Sequence, residues 1–199
     1  IRGALVGSLP LRHDDRVATH DGEVLVQLLP SERAFALMGM RRTFPEVDGR
    51  QGGGHSIRSL VRRALQFAPQ LLVVGETLGE EAFELLKAGN AGCGFLTTLH
   101  ANSAQLGMQS LVTAALMAGE NVPERVVRVT FARLIDLVVH CEAEPLHRVE
   151  AGGRRRRQVM EICAVPPQIS NDEFVLEPIF QRADFGRPLE FVGHHIPVD

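Results

Sequence analysis

The sequence predicts an α/β fold, a mostly parallel sheet sandwiched by helices, and three observations carry that prediction. From Ser56 to Val139, apolar stretches of strand length alternate with segments whose apolar residues recur at helical spacing. Residues 71–74, Leu-Leu-Val-Val, are apolar without a break, as in a strand covered on both faces. The chain, 199 residues of which 45% are hydrophobic, suffices for one ordinary core with a small appendage.

Taken in order, residues 1–9 are a short apolar stretch ending at Pro10, which reads as the tail of a helix. Residues 16–19 and 24–29 read as short strands on either side of His20, Asp21, Gly22 and Glu23. A short helix near 31–37 follows, then an irregular stretch that closes in Gly52, Gly53 and Gly54. Ser56 can cap a helix whose apolar positions Ile57, Leu60, Val61, Ala64 and Leu65 repeat at helical spacing, and Pro69 sets its limit. After the strand at 71–74, residues 80–88 read as an amphipathic helix with Ala82, Phe83, Leu85 and Leu86 inward. Residues 95–99 read as a strand, 105–118 as a helix, and Pro123 as the opening of a helix over 124–134. Residues 135–139 are a further apolar strand. Beyond Leu146 the pattern changes: 158–165 and 174–179 alternate as strands, parted by Pro166, Pro167 and a polar turn at 170–173. That region is a small β-rich extension of the sheet; residues 182–199 hold little pattern.

Composition excludes several classes. No apolar run reaches the roughly 18 residues of a membrane-spanning helix, and residues 1–10 lack a signal peptide's cationic flank, so a cytoplasmic location is expected. Cys93, Cys141 and Cys163 are odd in number and widely spaced, which predicts reduced, buried thiols. The eight histidines show no metal-ligand spacing. A net charge of −3 argues against wrapping nucleic acid. The run Arg154 to Arg157, after Gly152 and Gly153, reads as the solvated end of a hairpin.

Chemistry concentrates in two places. Residues 71–76, Leu-Leu-Val-Val-Gly-Glu, put the carboxylate of Glu76 at the C-terminal end of a buried strand, where α/β sheets hold ligands. The alternative is a strand that merely ends in a surface glutamate. Residues 97–103, Thr-Thr-Leu-His-Ala-Asn-Ser, close the next strand and bring Thr98, His100 and Asn102 to the same edge. Ser103 is placed to cap the helix beyond.

These two stretches, with Leu-Val-Arg-Arg-Ala-Leu at 60–65 and Pro69, resemble the core of the secretion ATPase superfamily. That family powers type II and type IV secretion, type IV pili and Tad (Flp) pili, and the Tad branch is closest in texture. The resemblance spans residues 1–162, most clearly 56–141. It implies a RecA-like P-loop NTPase core over 1–145, lacking its first (Walker A) strand, with 146–199 as a β-hairpin extension and tail. It further implies ATP and Mg²⁺ as cofactors and a homo-hexamer peripheral to the inner face of the cytoplasmic membrane. An inner-membrane secretion or pilus platform protein is the implied partner, with no nucleic acid expected.

Carried onto this chain, Glu76 matches the Walker B glutamate, which is catalytic and holds Mg²⁺ through water. His100 and Asn102 match the histidine box, His100 as catalytic, with Thr98 and Asn102 toward nucleotide. Asp21 and Glu23 are both candidates for the family's acidic box. Residues 135–139 resemble the next core strand, and 154–162 the basic hairpin. The chain departs from the family where Gln66, Ala68 and Leu78 stand in place of arginines; Arg58, Arg62 and Arg63 are candidates to compensate.

A phosphate loop needs Gly-x-x-x-x-Gly-Lys-[Ser/Thr]. The single lysine, Lys87, lies between Leu86 and Ala88 inside a predicted helix, so no Walker A motif exists in these residues. Residues 49–56 match the pattern with His55 in place of lysine, but a polar, proline-broken stretch precedes them instead of a buried strand. The family order places the missing strand between those ending at Leu99 and Val139, and places the loop just before Ile1. The expectation is therefore a fragment of an ATPase motor subunit, inactive alone, with a gap in its sheet. The alternative is a non-catalytic ATPase-like scaffold of a secretion system. A DNA-translocating protein is disfavoured by the acidic balance and the lack of Trp and Tyr for stacking.

Overall fold

A computed structural model of the chain describes residues 56–149 and 155–193, together with three strands at Gly3–Val6 (β1), Val24–Gln27 (β2) and Ala36–Met38 (β3). Asp21, Glu23, the predicted strand at 16–19 and the glycine loop at 49–55 lie outside the described residues.

The central elements follow the periodicity closely. Ser56 Oγ accepts the Ser59 N–H at 3.2 Å and opens helix α1 (Ile57–Leu65), which buries Leu60, Val61 and Ala64. Strand β4 (Leu71–Val74), helix α2 (Glu81–Asn90) and strand β5 (Gly94–Leu99) come next. Helix α3 (Ala104–Leu116) starts from Ser103, whose Oγ accepts the Leu106 N–H at 3.2 Å. Helix α4 (Glu124–Leu134) starts from Pro123, and strand β6 (Leu137–Ala143) follows. A single 3-10 turn over Leu146–Arg148 then leads toward strand β7 (Arg157–Ala164).

Among the described residues, nine strands form one sheet in the order β11-β10-β7-β6-β1-β5-β4-β2-β3, where β10 is Glu177–Gln181 and β11 is Glu190–Phe191. The expectation of a mostly parallel sheet is corrected: among the described ladders only β4–β5 is parallel. Strands β5 and β6 still run the same way, because β1 is antiparallel to both.

The helix tail read at residues 1–9 is also corrected, since Gly3–Val6 is strand β1. It occupies the slot that was expected to stand open, with Ala4 opposite Leu99 on one side and His140 on the other. Four residues are too few to stabilise a helix, whereas two facing strand edges offer every backbone group a partner. Of the short helix read near 31–37, residues 36 and 37 belong instead to β3, which pairs antiparallel with β2, and residues 31–35 lie outside the described residues.

Coverage on both faces is corrected as well. Leu72 and Val74 are buried beneath α1, with Leu60, Val61, Leu85 and Ala88, while the alternate residues Leu71 and Val73 are only half-buried. A second cluster joins Met108, Leu111 and Val112 of α3 and Phe131 of α4 to Leu99 and Val138. The described helices thus share one face of the sheet.

In the extension, the predicted strand at 174–179 divides in two. Asn171 and Asp172 adopt positive φ of 50° and 59° and turn β8 (Ile169–Ser170) back onto β9 (Glu173–Phe174), a tight hairpin that polar residues tolerate. Pairing with β7 resumes only at Glu177. The hairpin reading of the basic run holds, since β6 and β7 pair antiparallel from Leu137↔Ala164 to Ala143↔Arg157. Arg156 grips Glu144 through Nη2–Oε1 at 2.7 Å and Nε–Oε2 at 3.0 Å. Cys93 and Cys163 are buried, Cys141 is half-buried and all three are free. Burial, then the adjacent Glu161, pushes the Cys163 thiol up to about 12, which keeps it protonated and inert.

One ion cluster ties α1 to α2 and to the end of α3. The Glu84 side chain, 2% exposed, accepts from Arg58 Nε at 3.0 Å and Arg62 Nε at 2.8 Å. Arg58 also reaches Glu80 at 2.9 Å and Glu120 at 2.7 Å. Arg58 and Arg62 are therefore engaged in holding helices together. Burial pushes the Glu84 carboxyl up, but the hydrogen bonds from Arg58 and Arg62 outweigh it and hold the group below its ordinary 4.5. A depressed carboxylate stabilises the fold above its unfolded value and loses that contribution as pH falls through the folded one. Urea midpoints of the native chain and Glu84→Gln are therefore expected to differ most above pH 4.5 and to converge as pH drops below it. A constant difference down to acid would refute this role of the cluster.

Candidate functional site

The site begins with two strand ends. Because β4 and β5 are parallel with Val74 opposite Thr97, their C-termini emerge side by side. The loop 75–80 leaves β4, and residues 100–103 leave β5, at one edge of the sheet.

Threonines lace the two exits together. The Thr77 N–H donates to the Thr98 carbonyl at 2.7 Å, extending the ladder past the end of β4. The Thr98 hydroxyl donates to the Gly75 carbonyl at 2.6 Å. The Thr77 and Thr97 hydroxyls share a buried hydrogen bond of 2.6 Å. Two buried hydroxyls are tolerable in an apolar layer only when they satisfy one another, so this pair fixes register where the chain turns to the site. Glu81, the first residue of α2, accepts the N–H groups of Leu78 at 2.5 Å and Gly79 at 3.0 Å, which pins the remainder of the loop.

On this frame Glu76 and His100 meet directly, His100 Nε2 against Glu76 Oε1. The Glu76 side chain is 21% exposed and that of His100 is 51% exposed, so the pair faces solvent from a half-sheltered position. A carboxylate beside an imidazole can accept a proton from water, and the imidazole can donate a hydrogen bond to an anion or to the carboxylate. Asn102 lies two residues farther, exposed, at the bend before α3.

Of the residues singled out from sequence, the structure brings together Glu76, His100 and Thr98, with Asn102 beside them. Thr98 spends its hydroxyl proton on the backbone, so toward a ligand its oxygen can act only as an acceptor. Asp21 and Glu23 lie outside the described residues. Sequence reasoning passed over Thr77, Thr97 and Glu81 as contributors. Glu81 carried a detectable signal, an acid in the first turn of a helix. Thr77 carried none, because its partner stands 20 residues away.

Among the described residues no group of three or more His, Cys, Asp or Glu could hold a metal ion. Glu76 offers one carboxylate, a hard oxygen donor. That suits Mg²⁺, which keeps several waters and takes its other ligands from substrate phosphates. No described helix is long and apolar enough to cross a membrane.

The profile of the family described as "Type II/IV secretion system protein" matches residues 43–171. The "Type IV secretion system protein PtlH" of Bordetella pertussis is 31% identical over 166 residues, covering 81% of this chain and 45% of that protein. The "Conjugal transfer protein TrbB" of Rhizobium radiobacter is 30% identical over 104 residues, 52% of this chain and 29% of that protein. Among solved structures, the VirB11 ATPase from the Brucella suis type IV secretion system, in complex with sulphate, superposes with a TM-score of 0.47 at 23% identity. That superposition covers 55% of this chain and 32% of that one. The chain thus spans about half the length, 45%, of the first of these relatives.

Proposed function

This chain belongs to the type II/IV secretion system protein family, and on that premise we propose that it is the Walker B and histidine-box part of an ATPase motor subunit. The observation that carries this reading is the contact of His100 with Glu76 at the shared edge of β4 and β5. The reaction is hydrolysis of ATP coupled to protein secretion or pilus assembly. In this reading the phosphate loop that cradles the nucleotide lies outside these 199 residues, which hold no Gly-x-x-x-x-Gly-Lys-[Ser/Thr].

Within that reaction each side chain has a role. Glu76 orients the attacking water and takes its proton as the γ-phosphoryl group transfers. His100 holds that carboxylate in place and, together with Asn102, responds to the presence or loss of the γ-phosphate. Thr98 steadies the Gly75 carbonyl, so that the glutamate loop and the histidine box shift as one piece. Asp21 and Glu23 belong to the nucleotide site as its acidic box. Mg²⁺, when bound, neutralises phosphate charge, and Glu76 holds it through a water.

The working form in this reading is a homo-hexamer, cytoplasmic and peripheral to the inner membrane face. There it docks on a secretion or pilus platform protein, with no nucleic acid. The resemblance of its Walker B and histidine-box motifs to the Tad pilus branch supports a role there. Residues 1–145 serve as the partial RecA-like core, and 146–199 as the β extension and tail.

One observation favours a second reading, a non-catalytic scaffold. Arg58 and Arg62, two of the three arginines named as candidates to replace those absent at Gln66, Ala68 and Leu78, are committed to Glu84, Glu80 and Glu120. Steady-state ATP hydrolysis by the full-length protein separates the two. Turnover above that of Glu76→Gln supports the motor, and equal rates select the scaffold. For the 199-residue chain itself, titration calorimetry is expected to register no ATP binding. Micromolar binding would instead give the glycine loop at 49–56 a phosphate-binding role.

A further inference from the structure

We propose that Glu161, on the β extension, is a positioning residue for the histidine box: it anchors the first turn of α3 and thereby keeps His100 against Glu76. Its Oε1 accepts the N–H of Ala104 at 3.1 Å, across a sequence separation of 57 residues. Ala104 is the first residue of α3 and is fully buried. The local cap, Ser103, already satisfies the Leu106 N–H. Ser103 travels with the helix and so decides that α3 begins there. Glu161 stands on a different strand and decides where that beginning sits against the sheet.

The geometry of the intervening chain turns this anchor into control of the site. Residues 100–103 are a four-residue span between the end of β5 and the start of α3. The β5 end is fixed by the Thr77–Thr98 and Thr77–Thr97 bonds. The α3 end is fixed by Glu161. With both ends held, a span this short has little freedom, and the direction of His100 follows from its anchors.

Glu161 has polar neighbours of its own. It pairs across the ladder with His140 of β6, whose buried imidazole brings Nδ1 to 3.7 Å from Oε1. The Cys163 thiol lies 3.8 Å from Oε2. The positive end of α3 adds a favourable field for the carboxylate. The Nε2 atom of His140 is buried without a hydrogen-bond partner among the described residues, with Glu142 Oε1 at 3.9 Å. An apolar residue would fill that position at lower energetic cost, so the imidazole is better explained as a flank for Glu161 than as packing. Through this contact the extension, 146–199, reaches the candidate catalytic edge.

The role rests on the reading of His100 given above, but its test uses no ATP and so stands or falls separately. In the full chain labelled with ¹⁵N-histidine, the His100 imidazole signals are assigned by their loss in His100→Gln, and Glu76→Ala supplies the reference for a broken pair. Glu161→Ala and Glu161→Asp are expected to move those signals toward the Glu76→Ala positions and to speed exchange of the Ala104 amide by about tenfold. The shorter aspartate keeps the charge but not the reach. Glu161→Gln retains an acceptor oxygen at the right distance and is expected to restore the native signals. Where the alanine variant fails to fold, the aspartate and glutamine variants decide. Unmoved His100 signals alongside faster Ala104 exchange would reduce Glu161 to a helix cap and overturn the proposal. A Glu161→Gln spectrum that departs with the others would also overturn it, since charge and not the held amide would then be responsible.

Discussion

Glu76→Gln in the full-length protein is expected to lower ATP turnover by about 10²–10⁴-fold, with the fold and the apparent KM little changed. Glutamine has the shape of glutamate, and its side-chain oxygen still accepts a hydrogen bond from His100 Nε2, so the pair at the edge of β4 and β5 keeps its geometry. What is lost is the negative charge and the basicity. The charge also bears on Mg²⁺ through a bridging water, but the basicity matters only as water is deprotonated, so most of the loss falls on kcat. The threonine bonds that shape the loop involve Gly75, Thr77, Thr97 and Thr98, none of which the substitution touches. Measured kcat and KM of the two proteins, with a thermal melt of each, provide the check. A variant that retains a tenth or more of the native kcat would remove Glu76 from the chemical step.

Phe131→Ala is expected to destabilise the chain by about 3–5 kcal/mol. Phe131 is 0% exposed and is among the largest fully buried side chains described. It sits on the inner face of α4 in the cluster that joins Phe83 and Leu86 of α2, Met108 and Leu111 of α3, and Val138 of β6. Truncation removes transfer energy and leaves a void that three helices and a strand cannot close without leaving their own packing. Against a typical total of about 5–15 kcal/mol, the loss removes a large share of the stability. Urea denaturation followed by circular dichroism measures it. A change below about 1 kcal/mol would mean that α4 does not seal this core. Because the histidine box leads directly into α3, which packs in the same cluster, partial loosening is also expected to show in the His100 imidazole signals.

How much of this was legible beforehand depended on how locally each feature is encoded. The helices α1 to α4 were readable because apolar spacing and the caps at Ser56, Ser103 and Pro123 are written within a few residues of each helix. Strand β5 was readable for the same reason. Strands β1 and β3 were not, because four and three residues have no period of their own and take their conformation from partners far along the chain. The one-sided covering of β4 was hidden too, since an uninterrupted apolar run is compatible with burial on either face or on both. At the site, Glu76 and His100 were both evident from their motifs, and the parallel pairing of their strands puts them on one edge. The threonine bonds and the tether from Glu161 were beyond reach, because each joins residues 20 or more positions apart through side chains that are ordinary in their local context.

By itself, then, the amino-acid order determined the helices, the two motifs, their spacing and the family to which they belong, for these depend on periodicity and composition over short windows. It also determined that Lys87 lies in a helix, so that the phosphate loop is not among these residues. Only the tertiary structure decided which strand fills the middle of the sheet, that Arg58 and Arg62 are bound to Glu84, and that His100 rests on Glu76. Those outcomes are competitions among distant groups for the same partner. They are settled by which set of buried hydrogen bonds and charges can all be satisfied at once, a condition that exists only after the chain has closed on itself.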